Sequence, residues 1–178
     1  MIITLVLRFV QFLFAVIVLG LAVTLIKDQV LGGSPAAINY AAFTGGFGII
    51  GAAVGIAALF VGPLGGLVMA AIDGLASLFY LAGGIAIVVI LRGISCSSTS
   101  NESQNKMYDN TLLNGGCTNY KGQKVCGYIE RLDHMNVRCR ENEADAAFMF
   151  MSFALCIGCA VLSFLAMNRG TGRKGALV

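Results

Sequence analysis

Apolar positions along this chain fall into four long runs, roughly 4–26, 40–61, 66–91 and 146–167, with few polar side chains inside them. At a rise of about 1.5 Å per residue, a run of about 22 residues reaches ~33 Å, against ~30 Å of bilayer hydrocarbon. Each run is therefore predicted to be a helix that crosses a membrane. The expected fold class is an all-α membrane protein, a four-helix transmembrane bundle over residues 1–167. A large loop, 92–145, separates the third and fourth spans, and a short basic tail, 168–178, follows the last.

Local chemistry sets the expected boundaries. Ser34 followed by Pro35 is a good N-cap and N1 pair, so the second helix is predicted to start near Pro35 and run to Val61. Gly62, Pro63, Gly65 and Gly66 then break the run and make the second and third spans a tight helical hairpin. Asn142, with Asp145 three residues on, is expected to cap the fourth helix before Ala146. Small residues at Gly20 and Ala22 resemble a signal-cleavage site. The residues before Arg8 are apolar rather than basic, however, and the run continues to Ile26, so a retained helix is expected.

Composition agrees with the pattern. Mean hydropathy is +0.82, only 12% of residues are charged, and no charge occurs between Asp28 and Asp73. That is too little charge to build the polar exterior of a soluble domain. The net charge of +3 is small and spread among the loops, which excludes a nucleic-acid partner. Orientation is contested within the sequence. Lys27 and seven basic residues of the large loop lie on one side, with Arg8, Arg169, Arg173 and Lys174 on the other, so basic-residue counting alone puts the loop in the cytoplasm.

The loop cysteines argue the opposite. Cys96, Cys117, Cys126 and Cys139 form an even set, and Asn101-Glu102-Ser103 is a glycosylation sequon; both belong to an oxidising, extracellular side. If Lys121-Gly122 is a two-residue hairpin turn, then Tyr120 faces Gln123, Asn119 faces Lys124, Thr118 faces Val125 and Cys117 faces Cys126. The last is then a non-hydrogen-bonded pair, close enough for a disulfide. Cys96, just after the third helix, is left to join Cys139, just before the fourth. Such a staple would contribute ~4 kcal/mol by loop closure. The competing reading is four reduced thiols in a cytoplasmic loop. The orientation adopted puts the loop outside and both termini in the cytoplasm, where Arg169, Arg173 and Lys174 would touch anionic inner-leaflet lipids.

Inside the predicted spans, Arg8 and Asp73 lie at similar depths. A lone charge at that depth is penalised by a few kcal/mol, so the two are expected to form an ion pair fixing the first helix against the third. The alternative has Arg8 snorkelling to headgroups and Asp73 protonated or bonded to backbone. Gly45, Gly48, Gly51 and Gly55, including a G-x-x-x-G, give the second span a small face, and Gly83 and Gly84 add a patch on the third. These serve helix packing or self-association. Cys156 and Cys159 read as small polarizable residues on one helix face rather than a redox or metal site. His134, the single histidine, reads as a solvated loop residue. No catalytic constellation, cofactor motif or metal site is visible, and no internal repeat suggests a transporter. The chain is therefore expected not to be an enzyme.

Arg8 with Phe12 and Phe14, Asn39-Tyr40 opening the second span, Asp73 in the third, and Arg92 followed by Ser95-Cys96 at its exit occur in an order that resembles the MARVEL domain of occludin, synaptophysin-like and myelin-and-lymphocyte proteins. More narrowly, the chain is similar to the fungal non-classical export protein family, over nearly all of residues 1–167. The outer loop departs from that pattern: it is longer and carries the extra Cys117 and Cys126. The resemblance implies a plasma-membrane protein that organises sterol- and sphingolipid-rich microdomains of the eisosome type. Its implied partners are those lipids, copies of itself or other plasma-membrane proteins. The runner-up is a transporter, or an accessory subunit of one, using Asp73; a continuous hydrated path past Asp73 would favour it.

Overall fold

The computed structural model describes residues 2–61, 65–97, 100–128 and 132–174, with residues 2, 59–61, 65–66 and 166–174 described by backbone alone. Its elements are α1 (Ile2–Lys27), α2 (Ala36–Val61), α3 (Gly65–Ile90), α4 (Asn101–Asp109), β1 (Cys117–Tyr120), β2 (Gln123–Cys126) and α5 (Leu132–Lys174). Helices α1, α2, α3 and α5 are each long and apolar enough to cross a membrane. Residues 62–64, including Pro63 of the expected turn, lie outside the described residues.

Burial in this bundle brings many small residues inside and leaves many large apolar ones outside, with Val18, Leu25, Ile38 and Ile87 among the large ones that are buried. Ala15, Ala22, Ala41, Ala52 and Ala76 are buried, whereas Ile3, Phe9, Ile50, Leu67, Leu78 and Val89 are each more than half exposed. Lipid tails are as apolar as leucine, so large side chains gain nothing by turning inward, while small ones let backbones approach. In water such a surface would aggregate; in a bilayer it is solvated. The helices form a ring in which α1 packs on α2, α2 on α3, α3 on α5, and α5 back on α1. Glycine neighbours show alternating directions: Gly45 lies against Leu19, Gly51 against Ile72 and Gly83 against Met149.

The described polar cap between α3 and α5 is more ordered than a plain loop. Ser100 caps α4 by accepting from the Ser103 N–H, and Glu102 pairs with Lys106 one turn on, which holds the Glu102 carboxyl below its usual range. The hairpin has the expected register, Cys117 opposite Cys126 through Tyr120 opposite Gln123, about a turn with positive φ at Lys121 and Gly122. The Cys117–Cys126 disulfide closes it, with Cα atoms 4.0 Å apart. Backbone N–H groups of Val30 and Leu31 donate to Gly115 O, and the Gly127 N–H donates to Gly116 O, so the α1–α2 connection is clamped to the cap. Gly116 has φ +86°, and a Cβ there would collide with the Leu31 carbonyl, so only glycine serves.

Three boundary expectations need correction. Helix α5 starts at Leu132 rather than near Ala146, so Asn142 is not its cap. That side chain is buried inside the helix, and its Nδ2 donates to the Arg138 carbonyl at 2.8 Å. Cys139 accordingly lies within α5. The expected tail from 168 onward also continues α5 as far as Lys174. Hydropathy marks where a helix meets lipid, not where it begins; the charged turns at either end leave no apolar run to detect.

Candidate functional site

Arg8 sits about two turns into α1 and Asp73 just over two turns into α3, helices that are not neighbours in the ring, so the pair is made by side-chain reach across the interior. Nη1 of Arg8 donates to Asp73 Oδ1 at 2.5 Å and Nη2 to Oδ2 at 2.6 Å, a bidentate fork, with both residues almost fully buried. Gln11, one turn along α1, completes the cluster. Its Oε1 accepts from Arg8 Nη1 at 3.1 Å, while its Nε2 donates to Asp73 Oδ1 at 3.5 Å and to Cys156 Sγ at 3.3 Å. One amide therefore ties α1, α3 and α5 together.

The glycines of α2 make this geometry possible. A Cβ on Gly55 would lie 2.7–2.9 Å from Nε, Cδ and Cζ of Arg8, and one on Gly48 would collide with the Tyr80 hydroxyl. A Cβ on Gly45 would lie 2.7 Å from the Leu19 backbone nitrogen, while Gly51 faces Ile72, Gly83 faces Met149 and Tyr40, and Gly84 faces the Phe150 ring. The small faces thus point into the bundle. Beside the ion pair lies a cavity of about 10 Å³, room for one water molecule, lined by Gln11, Asp73, Tyr80, Ser152 and Cys156 among others. It is too small to be a conduit. Cys156 and Cys159 are buried free thiols.

At the other end of the bundle the Cys96–Cys139 disulfide joins the exit of α3 to α5, with Cα atoms 5.4 Å apart. Glu143 lies near it, but sulfurs bonded to one another offer no thiolate to a metal. Arg138, which no sequence pattern singled out, is almost fully buried. Its Nε donates to Leu112 O at 3.1 Å, its Nη1 to Leu25 O at 3.1 Å and its Nη2 to Gln29 Oε1 at 3.3 Å. Its guanidinium also lies over the Tyr128 ring, which stacks on His134, and the Tyr128 hydroxyl donates to Asp28 O at 2.5 Å. His134 is thus half-exposed and stacked rather than freely solvated. Asn101 is an exposed first residue of α4, whereas Ser103 of its sequon is buried. The side chains of Arg169, Arg173 and Lys174 lie outside the described residues.

Comparison with known proteins fits this architecture. The family model for the MARVEL membrane-associating domain matches residues 1–162. Non-classical export protein 2 of Saccharomyces cerevisiae is 29% identical over 164 residues, covering 91% of this chain and 80% of that protein. No solved structure matches the chain. With a family match spanning nearly its whole length over four membrane-compatible helices, the chain belongs to the MARVEL family of membrane-associating domains.

Proposed function

We propose that this protein is a non-enzymatic organiser of the plasma membrane, gathering sterol- and sphingolipid-rich lipid into microdomains of the eisosome type through its outward helix faces and lateral association. The observation that carries this reading is the division of labour between the bundle's interior and its surface. Arg8, Asp73, Gln11 and the inward glycines are engaged with one another, which leaves the broad apolar exterior as the surface available for recognition. In this reading the Arg8–Asp73 pair is a structural lock, the two disulfides rigidify an extracellular cap, and both termini are cytoplasmic. Arg169, Arg173 and Lys174 meet anionic inner-leaflet lipids there. The name of the yeast relative supports a connection with export, which membrane organisation would serve indirectly.

The test is reconstitution of the labelled chain in giant vesicles of sterol, saturated sphingolipid and unsaturated phospholipid. Enrichment in the ordered phase, or growth of that phase around the protein, is the expected result. Exclusion from it, together with proton or solute flux that Asp73→Asn abolishes, would replace this reading with the transport one.

A further inference from the structure

A second buried acid stands apart from the ion pair. Asp145, on the inner face of α5, is fully buried, and neither carboxylate oxygen has a hydrogen-bond partner among the described residues. Asn142, one turn earlier on the same face, is also fully buried. Its Nδ2 is committed to the Arg138 carbonyl, which fixes the amide's orientation and leaves Oδ1 as a further acceptor without a donor. Residues three apart on a helix are side-chain neighbours. Among the described residues these acceptor oxygens have no hydrogen-bond donor.

Among the described residues the surroundings supply no counter-charge. Elements α1, α3 and α4 pack against α5. From α3 the titratable group within electrostatic reach of Asp145 is the Tyr80 phenol. At the exit of α1, Asp28 is within electrostatic reach of Glu141. The charged residues of α4, Glu102, Lys106 and Asp109, are exposed and paired elsewhere. On α5 itself, Glu141 lies one turn away, with Oε2 buried and without a partner, and Arg138 lies two turns away with its guanidinium committed to Leu112 O, Leu25 O and Gln29 Oε1. A buried charge so placed neutralises itself rather than persisting.

We infer that Asp145 and Asn142 form a proton-binding site beneath the polar cap, in which the Asp145 carboxyl keeps its proton and donates it to Asn142 Oδ1. One proton then supplies the missing donor and removes the uncompensated charge. Its loss to solvent as pH rises strands a buried carboxylate and loosens the end of the bundle that Arg138 and the Cys96–Cys139 staple hold shut. Because the folded state retains a proton that the unfolded chain releases, stability falls as pH rises above the ordinary aspartate range.

The test is difference infrared spectroscopy of wild-type protein and Asp145→Asn in lipid nanodiscs. The amide keeps an N–H donor for Asn142 Oδ1, so this variant should fold and lose the fall in melting temperature that wild type shows as pH rises above about 4. Wild type minus variant should show the carbonyl band of a protonated carboxyl at neutral pH, shifted in D2O; an ionised-carboxylate band there overturns the site. Asn142→Leu provides an independent check. Its carboxyl band should move to the frequency of a carboxyl lacking an acceptor, and an unmoved band overturns the pairing. Replacing sodium and potassium with N-methylglucamine at fixed pH should leave the wild-type melting temperature unchanged. A fall that Asp145→Asn does not share would assign the site to a metal cation and overturn the inference.

Discussion

Arg8 reaches Asp73 only because α2 presents no side chain where the guanidinium passes, so the charge on α1 and the glycine on α2 are one design seen from two helices. Gly55→Leu and Gly48→Val should each destabilise the bundle by about 1–3 kcal/mol through overpacking. Gly46→Leu, where a side chain would meet open space, should stay within about 0.5 kcal/mol. Thermal unfolding in nanodiscs, followed by circular dichroism, separates the two classes; equal effects at all three positions would mean the glycines do not face as described. Arg8 and Asp73 were legible in the sequence because a charge inside an apolar run stands out. Gln11, Tyr80 and Ser152 were not, because one neutral polar group per turn barely changes hydropathy and its partners come from other helices.

Among the elements, the cap is held by covalent and polar ties of unequal reach. The Cys96–Cys139 bridge spans 43 residues of sequence, and Cys117–Cys126 only 9. Replacing the first pair by serine should cost about 4 kcal/mol by loop-closure entropy and loosen the whole cap, while replacing the second should cost about 3 kcal/mol and free only the hairpin. Hydrogen exchange of 100–128 in the two variants reads the difference; equal protection in both would refute it. Arg138→Ala should leave the carbonyls of Leu112 and Leu25 buried without donors, at about 1–3 kcal/mol each. The hairpin was legible because Lys121-Gly122 fixes the register and alternation then brings the cysteines opposite. The early start of α5 and the helix α4 were not: their stabilisation comes from capping at Ser100, the Cys139 bridge and docking of Arg138, none of which leaves an apolar period.

At the scale of the whole molecule, four apolar runs were enough to anticipate the ring of membrane-compatible helices, but not its order, since periodicity is weak when every face is apolar. The ring order matters, because it puts α1 and α3 on a diagonal, where the Arg8–Asp73 fork and the Gln11–Asp73 hydrogen bond join them. Our orientation predicts that a membrane-impermeant amine reagent labels Lys121 in intact cells; protection there until the cells are permeabilised would invert it. In our proposal Arg8 and Asp73 lock a closed bundle together, and a double-mutant cycle in nanodiscs measures that coupling. Arg8→Leu and Asp73→Leu should each cost about 3–5 kcal/mol, because each strands a buried charge, and the double variant should recover most of that loss. Additive effects, or single variants as stable as wild type, would contradict it.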